Sequence, residues 1–118
     1  MNIAQQFADA TPTGFVPHAK FDGVALKHLV TGQSTEARVS VHLVKVEPGC
    51  ALDTHTHPGQ VEIHAVVHGS GNCQIGDDAL TYQPGVVGVV PAGVPHKVVA
   101  GDGGLFLLST FSPALVER

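Results

Sequence analysis

At 118 residues the chain can form one domain with its own core, and it needs no disulfide to fold. Only 14% of its residues are charged and the formal charge is −4, with six Lys and Arg and no basic stripe, which argues against a nucleic-acid partner. No apolar run approaches a membrane span, and no positive region followed by an apolar core opens the chain. The expectation is a soluble cytoplasmic protein without a membrane partner. The two cysteines, Cys50 and Cys73, form no CxxC pair and are expected to stay reduced. Histidine is the outlier, at eight residues, more than Lys and Arg together.

In chain order, Asn2 to Ala10 reads as a short helix with Asn2 as its cap and Ile3 and Phe7 on one side. Thr11-Pro12-Thr13-Gly14 ends it, so residues 1–20 form an N-terminal arm and 21–118 the main domain. From Val24 onward every signal is β. Val24–Val30 and Arg38–Val46 are strand-like runs joined by a polar connection from Gly32 to Glu36. Val61–Val67 is followed by a break at Gly69-Ser70-Gly71, then Asn72–Ile75 and Ala79–Tyr82 flank a hairpin turn at Gly76-Asp77-Asp78. Val86–Val90, Val94–Ala100 and, after Gly103-Gly104, Leu105–Phe111 complete the series. Eight to nine short strands between Gly/Pro turns predict an all-β sandwich or barrel.

The chemistry concentrates between Gly49 and Gly69. Residues two apart in a strand share a face, so His55 and His57 can converge on one point. Pro58-Gly59 reads as a turn, and a strand returning beside the first carries Glu62 to that point. Two imidazoles and a carboxylate are the ligands of a 2-His-1-carboxylate metal site. If Glu62 points inward, so do His64 and Val66, and His68 stands at the rim. His64 is then a candidate catalytic acid or base, or a group that orients a ligand. His42, in phase with Val44 and Val46, is a candidate for the substrate pocket, while His18 and His28 are expected at the surface. The opposite alternation, Val39, Val41 and Leu43, is also apolar, which predicts cover by a partner subunit.

Two spaced strings carry a resemblance. Gly49, His55-Thr56-His57, Glu62 and Gly69, followed by Gly85, Pro91-Ala92-Gly93 and His96, closely resemble the paired motifs of the cupin superfamily. The departure is Ala100, where the second motif usually ends in Asn. The resemblance implies a double-stranded β-helix, a small jelly-roll barrel that is commonly a homodimer. It also implies one divalent transition metal (Fe, Mn, Ni, Co or Zn) held by His55, His57, Glu62 and His96. His96 enters a strand after the Pro91 to Pro95 turn, so a distant part of the chain can supply the fourth ligand.

The expected function is that of a metal-dependent enzyme on a small oxygen-rich substrate, such as an enediol, a β-diketone or a catechol-like ring. The chemistry is either Fe-dependent dioxygenation or isomerase/lyase chemistry at a Lewis-acidic metal. Phe111-Ser112-Pro113 resembles the ending of the cupins that isomerise unsaturated uronates, although that group tends to carry Gln where this chain has Glu62. The alternative is a small-ligand-binding or sensing cupin without catalysis. A storage-type structural role fits less well, because all four ligand types are present.

Overall fold

The computed structural model describes residues 14–116, and the helix expected over Asn2 to Ala10 lies outside them. Eight strands follow in order: β1 (Val16–Pro17), β2 (Val24–Val30), β3 (Ser40–Val46), β4 (Ala51–His55), β5 (Val61–Ile75), β6 (Asp78–Tyr82), β7 (Val87–Val90) and β8 (His96–Ser112). A 3-10 turn over Gly32–Ser34 occupies the polar connection between β2 and β3. All strand pairings are antiparallel.

Two long strands organise the rest. The first half of β5 pairs with β7 and with the second half of β8, which in turn pairs with β3. The second half of β5 pairs with β6 and with the first half of β8, which also carries β4. β5 and β8 therefore pass from one sheet to the other, and the two sheets close on a shared core as a double-stranded β-helix. Gly69-Ser70-Gly71 does not break the chain, as the sequence reading expects. It lies within β5, at a register shift between Gly69 and Gly71 that lets the strand bend. Likewise Gly103-Gly104 lies inside β8, so four expected strands become two long ones. Gly69 has φ 81°, and a side chain there would run into the Gly104 carbonyl of β8. Close backbone approach, rather than a turn, is what glycine supplies here.

Alternation fills the interior in rows. The ladder aligns Val44 of β3, Leu107 of β8 and Val66 of β5 as one apolar row, with Val46 and Leu105 in the next. These side chains join Val24, Cys73, Ile75, Tyr82, Val90 and Val98 in a dry core. Towards the other end the rows turn polar: His42–Ser109–His64, then Ser40–Phe111–Glu62. Every one of these six residues is buried. A polar end on an apolar barrel is the container the site requires. Ala100 belongs to the core and pairs with Gly71, and its N–H donates to the Cys50 carbonyl at 2.9 Å. Both cysteines are free thiols.

Candidate metal centre

His55, His57, Glu62 and His96 meet at the polar end, with one ligand atom from each lying within 4.8 Å of all the others. The route differs in two respects from the sequence reading. His57 lies just beyond the end of β4, in the turn, and not in a strand with His55. Nor does β5 return beside β4. β4 pairs with the first half of β8, setting His55 beside His96, whereas the first half of β5 pairs with the second half of β8 in the other sheet, setting Glu62 beside Phe111. The two sheets bring the groups together from opposite sides, and the rings of His55 and His96 stand 4.2 Å apart between centroids.

Backbone carbonyls set the tautomers. His55 Nδ1 lies 2.7 Å from the Asp53 carbonyl oxygen, and His96 Nδ1 lies 3.0 Å from that of Val94. A carbonyl only accepts, so each Nδ1 carries the proton and each Nε2 turns a lone pair to the cluster. Burial holds the imidazoles of His55 and His57 below their ordinary pKa, which favours the neutral, ligating form.

Glu62 is divided in two. Its Oε2 lies 2.8 Å from His64 Nε2, while Oε1 lies 3.1 Å from His96 Nε2 and 3.6 Å from His57 Nε2. The His96 approach lacks the alignment of a hydrogen bond, and Glu62 Oε1 and His96 Nε2 are both buried without a hydrogen-bond partner among the described residues. Burial disfavours the Glu62 carboxylate, but the bond from His64 and the closeness of His96 outweigh it and hold the carboxyl well below its usual range. Two orphaned, buried donor atoms among neutral imidazoles fit a divalent transition ion.

His64 is committed on both sides. Nε2 meets Glu62, and Nδ1 lies 2.9 Å from the Tyr82 hydroxyl, which is fully buried. Burial opposes its charge, yet the neighbouring Cys73 and Glu62 prevail and push its pKa up to about 9. Tyr82 belongs to neither motif, although the alternation of β6 marks it as inward. Its hydroxyl occupies the space that Gly88 leaves open in β7.

His42 is committed as well. Nδ1 lies 2.8 Å from His28 Nδ1, and Nε2 lies 2.8 Å from Ser40 Oγ. Ser40 Oγ accepts the Leu115 N–H at 2.8 Å, which ties the C-terminal segment to the barrel. Burial, and then the adjacent His28, lower the His42 pKa from 6.5 to about 4, with Glu62 opposing. The unfolded chain therefore takes up a proton that the folded one refuses. The contribution of His42 to the stability of the metal-free protein is expected to be full above about pH 6.5 and to be lost as pH drops towards about 4. Denaturant unfolding across that range checks this, and His42→Gln should flatten part of the slope. An identical slope in the variant removes His42 from the account.

A cavity of about 50 Å³ adjoins the four-residue cluster. Its wall includes His42, His64, Val44, Leu52 and Phe111, and Leu26, His18 and Leu115 also line it. His18, expected at the surface, instead stands half-buried at this cavity and stacks on Phe21, which in turn meets His55. His28 is exposed as expected but reaches inward to His42. A larger depression, about 310 Å³, lies on the exposed side of β5, β6 and β8 around Asn72, Gln74, Thr81 and Lys97. It holds none of the clustered ligands, so the smaller cavity is the one that matters for the chemistry.

Among protein families, the one described as a cupin domain matches residues 42–111, more than half of the chain. The chain belongs to the cupin family. A search of curated proteins finds no match to this cupin. Solved structures share its fold. KdgF from Halomonas sp. is 20% identical, with 91% of this chain and 92% of that one covered and a TM-score of 0.79. A predicted oxalate decarboxylase from Thermotoga maritima is 19% identical, with 90% and 97% covered and a TM-score of 0.81. An RmlC-like cupin from Shewanella frigidimarina is 21% identical, with 92% and 91% covered and a TM-score of 0.79. At these identities the likeness establishes the double-stranded β-helix and nothing finer.

Proposed function

We propose that this cupin is a metal-dependent enzyme acting on a small oxygen-bearing molecule, with one divalent ion held by His55, His57, Glu62 and His96. The observation that carries the reading is the pair of buried, unpartnered atoms Glu62 Oε1 and His96 Nε2 beside the small cavity. When bound, such an ion supplies Lewis acidity or, as iron, dioxygen chemistry. The protein's own residues do the rest. His64 holds Glu62 Oε2, so Oε1 is the oxygen offered to the ion, and Tyr82 fixes the His64 ring. With both ring nitrogens engaged, His64 acts through Glu62 as a positioning residue. His42 and Phe111 form the wall that keeps water from the substrate side. In this reading the barrel expected over residues 21–118 carries the site, and β1 and His18, from the segment expected as an arm, join it.

Reconstitution tests this. Protein loaded with Fe(II) or Zn(II) should turn over members of a panel of diketones, enediols and catechols, with oxygen uptake marking the iron chemistry. Equal behaviour of loaded and metal-free protein across the panel would leave a ligand-binding cupin instead.

We also infer a homodimer. The outer faces of β5 and β7 expose Val61, Ile63, Val67, Val87 and Val89, each at least 40% accessible, and the ladder sets Ile63 beside Val89. A second copy is the simplest cover for so apolar a strip on a chain with so few charges. Sedimentation showing only monomer at micromolar concentration contradicts this.

A further inference from the structure

The cavity beside the metal cluster has almost no polar capacity left for a substrate, and that narrows what can bind. His64 is engaged by Glu62 and Tyr82, and His42 by His28 and Ser40, so neither ring has a nitrogen free for a substrate. Leu26, Val44, Leu52, Phe111 and Leu115 make up the apolar remainder of the lining. Ser109 Oγ, a buried hydroxyl without a partner, is not among the lining residues. No Lys or Arg lines the cavity among the described residues. Lys27, Lys45 and Lys97 alternate with the inward Leu26, Val44 and His96 and so belong to the outer faces. Residues 1–13 contain no Lys or Arg, Lys20 and Arg38 are exposed, and Arg118 lies outside the described residues. His18 accepts the N–H groups of Lys20 and Phe21 at Nδ1, which leaves its Nε2 as one donor at the cavity.

We propose, building on the metal-enzyme reading above, that the substrate is a compact chelating enol or β-dicarbonyl with an apolar body, and not a polyol, a sugar acid or a dicarboxylate. Its two chelating oxygens would face an ion held by His55, His57, Glu62 and His96, and the carbon skeleton would rest on Leu26, Val44, Leu52 and Phe111. Each further hydroxyl would be stripped of water without a partner, and a carboxylate would be penalised more heavily because it carries charge. Size agrees. A cavity of about 50 Å³ is far below the roughly 300 Å³ of pockets that enclose drug-sized ligands.

Matched chelators test the proposal without turnover. Protein loaded with Co(II) is titrated with 2,4-pentanedione and, separately, with malonate, which offers the same spacing of oxygens but ends in two carboxylates. Galacturonate is the sugar-acid probe, and the Co(II) visible spectrum reports each dissociation constant. Pentanedione should bind at least tenfold tighter than malonate or galacturonate. Leu115→Arg, which adds a cation at an exposed cavity position, should narrow that gap by relatively favouring malonate. Malonate or galacturonate binding as tightly as pentanedione overturns the proposal, as does a Co(II) site that none of the three perturbs. In both cases the metal reading survives. Failure of the protein to take up Co(II) at all is a different result, and it overturns the metal reading together with the proposal.

Discussion

Replacing His96 by Ala is expected to weaken divalent metal binding by more than about 100-fold, beyond the 10–100-fold that follows loss of a group merely orienting a ligand. His96 is 1% exposed, its Nδ1 proton goes to the Val94 carbonyl, and its Nε2 points at Glu62 Oε1 with no other partner among the described residues. Nothing in that arrangement serves the fold better than an apolar side chain would. The metal-free variant should therefore stay folded, since Glu62 keeps its bond from His64. The affinity loss separates a ligand from a packing residue, and competition titration against a chromogenic chelator measures it. Unchanged affinity would make His96 a buried histidine and no more.

The second large effect concerns the bend in β5. Gly69→Ala should destabilise the protein by about 3 kcal/mol or more. Overpacking contributes about 1–3 kcal/mol and the left-handed backbone about 1–2 kcal/mol. At φ 81° the added methyl faces the Gly104 carbonyl, which is backbone and cannot swing away as a flexible side chain does. The same change at Gly49, also at positive φ but with nothing within 4 Å of the added atom, should cost only the conformational part. Chemical denaturation of the two variants compares them. Equal losses would mean that the close approach of β5 and β8 does not hold the two sheets together.

These two positions show what could be read from the residues and what could not. Inward and outward faces were legible at the start of β5, where alternation is regular and the motif spacing fixes its phase. They were less so in β3, where Leu43 of the supposed outer face is buried within the chain itself rather than left for a partner to cover. Glu62, His64 and Val66 are buried, whereas His68 is exposed after the register shift between Val66 and His68. Strand continuity was not legible. Gly69-Ser70-Gly71 has the composition of a turn, and only the neighbouring Gly104 and Val99 backbones reveal that glycine is needed there for closeness. The neighbour of β4 was hidden for a similar reason. Short separation between His55 and Glu62 pointed to a hairpin, but the barrel places β4 and the start of β5 in different sheets, each paired with a different half of β8, whose residues lie far along the chain. His18 was misplaced because a lone histidine in an irregular segment has no period to indicate which way it faces.

The cluster itself was legible as residue types and became a site only through geometry. Asp53 and Val94 contribute backbone carbonyls, which no side-chain motif can display, yet they turn His55 and His96 into ligands of defined tautomer. Tyr82 completes the chain to Glu62 through His64, and it lies 20 residues beyond Glu62.

The central claim is that three imidazoles and one carboxylate hold a single divalent ion at this end of the barrel. X-ray absorption on protein loaded with one equivalent of Zn(II) tests it most directly. The account predicts nitrogen and oxygen scatterers at about 2.0–2.2 Å with the outer-shell pattern of three imidazole rings. A sulfur scatterer at about 2.3 Å, from Cys50 or Cys73, or a pattern with one imidazole or none, would contradict it.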